Sequence, residues 1–391
     1  MGVLNEAKRL MKKNIREYGM YIALVVIMLT FSIATDGLFM SSRNISNLIN
    51  QTGYIAVLAV GMTLILIIRH IDLSVGFVAG FLGAVAAILL TKTGAPVWAT
   101  IMIVLASGAL IGAIIGFLVT RMGIPSFVAT LAGMLVFRGA LLRVTSGTGT
   151  IIIPDKSFNA IGNGFIPDIV HINGIHTLTL IIGVIAIGLY IWSELNSRRD
   201  KLKYNFEVLS TLMFAIKLLF VSAVIAYITW TLSGYNGLSW TVIVVIIVVL
   251  IYNFVTNKTV LGRHIYAVGG NPDAAKLSGI NVNRITLIVF SSMSMLAALS
   301  GILFTARLQS ATTTAGTLFE LDAIAAAYVG GVSAAGGVGK VTGSIIGAFV
   351  MASLINGMNL MGVDISYQYI IRGAVLVAAV IFDVKTRNKR S

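Results

Sequence analysis

Apolar runs, each about the length of a membrane crossing, follow one another through this sequence with short polar stretches between them. A helix needs about 20 apolar residues to cross a hydrocarbon layer roughly 30 Å thick. On that measure, spans are predicted at approximately 18–38, 53–68, 73–91, 97–119, 125–144, 175–193, 208–231, 238–256, 285–306, 321–334, 342–361 and 367–384. The fold class is therefore an all-α integral membrane protein, a polytopic helical bundle of about 10–12 transmembrane spans. Several runs are short or interrupted by glycine, which predicts that some are broken or re-entrant. No polar stretch is long enough for a soluble domain, so residues 1–391 read as a single transmembrane domain.

Glycines fall inside the spans at helical spacing. Gly108, Gly112 and Gly116 share one helix face, as do Gly76 with Gly80 and Gly343 with Gly347. In lipid, such faces let helix backbones approach closely, and the pattern predicts a tightly packed bundle.

Charge orients the spans. Basic loops face the cytoplasm, which predicts cytoplasmic positions for Lys8, Arg9, Lys12, Lys13 and Arg16, for a loop at 193–207 holding Arg198–Lys203, for a loop at 257–284, and for Lys385, Arg387, Lys389 and Arg390. Both termini then lie in the cytoplasm. The polar stretch Thr145–Gly174, nearly free of charge, falls on the opposite side. The first apolar run follows its basic cluster as in a signal peptide. It carries no small-x-small cleavage site from Tyr18 to Ala34, so it reads as an uncleaved span.

Composition agrees. Of 391 residues, 57% are hydrophobic and 11% charged, against roughly 25% charged in a soluble domain. The net charge of +14 lies in short clusters between apolar runs, not in the surface patch of a nucleic-acid binder. There are no cysteines, which excludes disulfides and thiolate metal sites. The four histidines, His70, His171, His176 and His264, are scattered, and no metal site is predicted. The stretch Gly336-Gly337-Val338-Gly339-Lys340-Val341 falls short of a phosphate-binding loop: Ala334 stands where its first glycine belongs, and Val341 where Ser or Thr would bind magnesium. No catalytic constellation is present, so the chain is not expected to be an enzyme.

Polar groups inside spans are costly and mark function. Arg69-His70-Ile71-Asp72-Leu73-Ser74-Val75-Gly76 interrupts two apolar runs, and Glu320 and Asp322 head an Ala- and Gly-rich one. A carboxylate in the first turn of a half-helix is favoured by the dipole. Arg138, Arg143, Lys217, Arg307 and Arg372 also lie in or near spans. Long basic side chains there reach the interface, except that Lys217 sits near the middle of its run. It faces the bundle interior unless that boundary is misplaced.

Within 257–284, Asn271 suits an N-cap, Pro272 the first helical position and Asp273 the first-turn dipole, while Gly279 suits a stop. A helix of about two turns is predicted, bearing the small residues Ala274, Ala275 and Ser278. A helix so short is marginal unless docked, which implies a partner.

The order of motifs resembles the permeases of binding-protein-dependent ABC importers for ribose, arabinose, galactose and xylose. The matching pieces are Gly61-Met62-Thr63, Ile71–Gly76, Ile265–Asn271, Ser278–Asn281, Glu320–Ala326 and Asn356-Gly357-Met358-Asn359-Leu360. Ribose-type permeases carry small uncharged residues where Arg69-His70 stand here. The chain is also longer near 175–256, as xylose-type and multiple-monosaccharide permeases are. The resemblance implies the ABC importer permease fold and a pore made with a second copy of the chain. It implies cytoplasmic ATP-binding subunits that carry the ATP and magnesium, with no cofactor on this chain, and an extracytoplasmic sugar-binding protein. By the same resemblance, Gly269, Gly270, Asn271, Pro272, Ala274, Ala275, Ser278 and Gly279 form the coupling helix. Asp72, Ser74, Gly76, Glu320, Asp322, Asn356 and Asn359 are candidates for the translocation pathway. A xylose- or galactose-like monosaccharide is the expected solute. The alternatives are a nucleoside or other sugar derivative, and a proton-driven secondary transporter using Asp72 and Asp322.

Overall fold

A computed structural model describes residues 15–387 except 148, 170, 173 and 207. The N-terminal cluster from Lys8 to Lys13 and the terminal Lys389 and Arg390 lie outside the described residues. The described residues fold into helices joined by short loops, with only four short strands. Among the described residues, ten helices are long and apolar enough to cross a membrane.

The helices are α1 Ile15–Ala34, α2 Ser42–Ile67, α3 Val75–Lys92, α4 Val97–Thr120, α5 Ser126–Thr145, α6 Lys156–Asn163, α7 Thr177–Lys203, α8 Thr211–Ser233, α9 Trp240–Lys258, α10 Val260–Gly270, α11 Pro272–Leu277, α12 Val282–Leu308, α13 Phe319–Val329, α14 Val341–Leu360 and α15 Ile365–Arg387. The strands are β1 Thr150–Ile152, β2 His171–Ile172, β3 Ile175–His176 and β4 Ser310–Thr312.

Two boundaries differ from expectation for physical reasons. The span expected at 53–68 begins at Ser42, because the Ser41 side chain accepts from the Asn44 backbone and caps the helix. Polar residues in its first turns are satisfied internally: Thr52 donates to the Leu48 carbonyl at 2.6 Å, and the Ser239 hydroxyl donates to Asn50 Oδ1. The second concerns Arg198–Lys203, expected in a loop at 193–207, which is the end of α7. Arginine and lysine are good helix formers, and Lys201 and Lys203 in the last turn suit the negative end of the dipole. Lys217 also has a partner that the sequence did not reveal. Its ammonium donates to Glu194 Oε1 at 2.7 Å, tying α8 to α7.

Glycine faces set the crossings. A Cβ on Gly108 would meet the Ser294 carbonyl, one on Gly112 the Phe290 carbonyl, and one on Gly116 the Leu287 backbone, so α4 lies against α12 with no room for a methyl group. Gly343 and Gly347 meet Gly330 and Ala326 in the same way. In lipid this close packing, and not burial of apolar surface from water, holds helices together. The core is built mainly from α2, α3, α12 and α13. Helices α7 and α8 pack mainly on each other and expose Trp192, Leu219 and Trp230.

Two elements start inside the bundle instead of at its edge. Gly301 of α12 lies against the Ala79 backbone, and Gly83 lies against Thr305. The two helices therefore run in the same direction, and Val75, the first residue of α3, stands about midway along α12. After α12 the chain turns at Gln309 (φ 55), pairs β4 antiparallel with β1, and re-enters the bundle through Gly316 (φ 86) and Leu318 (φ 64). The short helix α13 then begins beside Tyr54, whose ring centroid is 4.8 Å from that of Phe319. The run expected at 321–334 is thus a half-helix of 11 residues followed by a loop.

Candidate permeation and coupling sites

The starts of α3 and α13 meet. A Cβ on Gly76 would strike Glu320 Oε2 and the Gly316 carbonyl, and one on Gly316 would strike the Gly76 carbonyl. Around this junction Asp72 and Ser74 are fully buried, and Glu320 is 6% exposed. Asp72 Oδ1 accepts from the Ser74 amide at 2.9 Å and its hydroxyl at 2.6 Å, closing a turn just ahead of α3. Asp72 Oδ2 and Glu320 Oε2 have no hydrogen-bond partner among the described residues. The free N–H groups of a helix's first turn and its dipole favour negative charge there. Asp72 lies just before the first turn of α3, and Glu320 lies in the first turn of α13.

The other expected pathway residues lie elsewhere. Asp322 sits 3.7 Å from Arg372 Nη1 and ties α13 to α15. Asn356 and Asn44 exchange amide hydrogen bonds at 2.9 and 3.1 Å. Asn359 Oδ1 accepts from Gln368 at 2.8 Å. Asp72, Ser74, Gly76 and Glu320 therefore share one place, while Asp322, Asn356 and Asn359 make separate links between helices.

The segment 259–281 forms two helices where one was expected. Thr259 caps α10 by accepting from Gly262. Asn271 ends α10 and caps α11, accepting from Asp273 at 3.0 Å and Ala274 at 3.1 Å. Gly279 stops the unit at φ 82. Of the small residues predicted on this helix, Ala274 and Ser278 are exposed, whereas Ala275 is 4% exposed and turned into the chain's own core. Leu277 projects instead, 91% exposed, at the tip of the prong. Nothing in the spacing of so short a helix marks which side faces outward. Gly269 is the close-contact position, since its Cβ would strike the Ile67 carbonyl and the Gly337 amide, whereas Gly270 meets nothing within 4 Å.

Comparison with known proteins fits this architecture. Residues 44–380 match the model of the family described as branched-chain amino acid transport system / permease component. The chain belongs to this permease family. It is 40% identical to the xylose transport system permease protein of Haemophilus influenzae over 97% of this chain and 99% of that protein. It is 39% identical to the xylose transport system permease protein of Escherichia coli over 96% of this chain and 93% of that protein. It is also 35% identical to the ribose import permease protein of Escherichia coli, over 93% and 92%. No solved structure matches.

The permease keeps its two sites apart along the bundle. The carboxylate junction lies about midway along α12, and the α10–α11 prong lies beyond the end at which α12 starts.

Proposed function

We propose that this chain is the membrane-spanning subunit of an ATP-driven importer that moves a xylose-like monosaccharide across the cytoplasmic membrane. The likeness to two xylose permeases over nearly the whole of both chains supports the solute more than any other observation. Two copies of the chain form the pore, an extracytoplasmic binding protein delivers sugar, and cytoplasmic ATP-binding subunits hold ATP and magnesium. Both termini and the α10–α11 prong are cytoplasmic, in keeping with the basic residues at 258–284.

Sugar passes by alternating access. Helix α3, which starts inside the bundle, meets the half-helix α13 there, and the two supply polar ends at a depth where continuous helices would offer none. Asp72, Ser74 and Glu320 make that junction polar. The motor acts through α11, whose capped backbone is rigid and whose Leu277 seats in an apolar pocket of the ATPase.

Burying a leucine contributes about 1.5–3 kcal/mol, and 1.4 kcal/mol is a tenfold change in affinity. Leu277→Asp is therefore expected to weaken binding of the ATPase subunits by about tenfold or more, read by surface plasmon resonance, and to leave the permease folded. Unchanged affinity would remove Leu277 from the docking face. The solute is tested by ATP-driven uptake of labelled xylose into proteoliposomes holding the complete importer. Unlabelled xylose is expected to compete better than ribose or a nucleoside, and preferential competition by a nucleoside would overturn the sugar reading.

A further inference from the structure

We propose that Arg69 is the positioning residue that carries movement of the cytoplasmic prong to the start of α3 and the end of the half-helix α13, an inference resting on the importer reading above. Its side chain reaches across to the end of α10. Arg69 Nε donates to the Gly269 carbonyl at 2.6 Å, and Nη2 donates to the Gly270 carbonyl. Terminal carbonyls of a helix lack intrahelical partners and carry the negative end of its dipole. A guanidinium meets two of them with a planar fork that no other side chain matches.

Three backbone segments converge at this contact. The Gly337 amide donates to the Ile67 carbonyl at 2.8 Å. A Cβ on Gly336 would strike Arg69 Cγ, and one on Gly269 would strike the Ile67 carbonyl. Tyr266 of α10 donates to the Gly339 carbonyl at 2.7 Å. From this knot the chain runs one way from Arg69 through Asp72 to the start of α3. The other way it runs from Gly336 back to the end of α13. The prong therefore reaches α3 and the half-helix α13 through one knot, and the Gly336–Gly339 stretch, which lacks the phosphate-loop pattern, has a different use here.

The backbone of Arg69 supports a role for its side chain. It is held at φ 65, a conformation that costs a non-glycine residue about 1–2 kcal/mol and that glycine adopts freely. Arg69 is also exposed, and exposed charged contacts contribute about 0–1 kcal/mol to stability. Fold stability alone would favour glycine at this position.

The test compares wild type with Arg69→Gly and Arg69→Lys in proteoliposomes holding the complete importer, reading ATP hydrolysed per sugar imported. Arg69→Gly relieves the backbone and removes the guanidinium. It is expected to keep its thermal midpoint and its bound ATPase, and to raise the ATP cost per sugar about tenfold, within the range of allosteric couplings. Arg69→Lys, a point charge without the fork, is expected to fall between. A second reading uses the chain's lack of cysteine: spin labels at Arg263→Cys, exposed on α10, and Thr317→Cys should change separation on ATP binding in the wild-type background and not with Arg69→Gly. A wild-type ATP-to-sugar ratio in Arg69→Gly, an unaltered label response, or loss of the ATPase from that variant's complex would each overturn the assignment. Failure of the wild-type complex to import sugar with ATP would instead overturn the importer reading beneath it.

Discussion

Arg372→Ala is expected to destabilise the permease by about 3–5 kcal/mol, the cost of leaving a buried ion without its partner. Asp322 is 14% exposed and Arg372 22%, and their charged atoms lie 3.7 Å apart. With Arg372 gone, Asp322 would be left charged in a span. The double variant Asp322→Ala/Arg372→Ala is expected to recover most of that loss, because replacing both members of a buried pair is often close to neutral. Thermal unfolding in detergent gives the three differences. A double variant that loses the sum of the two single-variant losses would mean that the pair is not coupled. The pair joins α13 to α15, and Asp383 of α15 accepts from the Ser333 hydroxyl and the Ala334 amide at 3.1 Å just beyond α13. The half-helix is thus pinned to α15 at both ends.

A single methyl group where α3 and α13 meet should have the second large effect. Gly316→Ala is expected to reduce transport at least tenfold, as well as lowering stability. Its φ of 86 costs an alanine about 1–2 kcal/mol. The added Cβ would also strike the Gly76 carbonyl, an overpacking cost of about 1–3 kcal/mol. Gly331→Ala separates these terms, since Gly331 has φ 87 but nothing within 4 Å of its Cβ. Gly331→Ala should show the backbone cost alone and keep most of its transport. If both variants behaved alike, the close approach of α3 and α13 would not matter.

Much of this architecture is legible in the sequence because lipid is an exacting solvent. An apolar run of 20 residues in hydrocarbon has to be helical, since every backbone polar group must be satisfied within the segment. Span positions therefore follow from hydropathy, and the α4–α12 contact follows from the spacing of Gly108, Gly112 and Gly116. The α11 cap was equally readable, because Asn271, Pro272, Asp273 and Gly279 each act on the backbone next to them.

Tertiary features left fainter marks. Where α13 starts depends on β4 pairing with β1, a contact between residues about 160 apart in sequence. Apolar and small residues in α11 have the same local spacing whether they face inward or outward, so the exposure of Leu277 and the burial of Ala275 became visible only in the fold. Arg69 stood out as a charge between two apolar runs, but its partners at Gly269 and Gly270 lie about 200 residues away. The partner of Lys217 lies on the preceding helix, which local spacing does not reach.

The most direct test of the account is sugar uptake into proteoliposomes assembled from purified parts. With this chain, the ATP-binding subunits, the sugar-binding protein and ATP present, labelled xylose should accumulate, and omitting any one of them should abolish uptake. Accumulation by this chain alone under an imposed pH gradient would contradict the account and point to a proton-driven carrier working through Asp72 or Asp322.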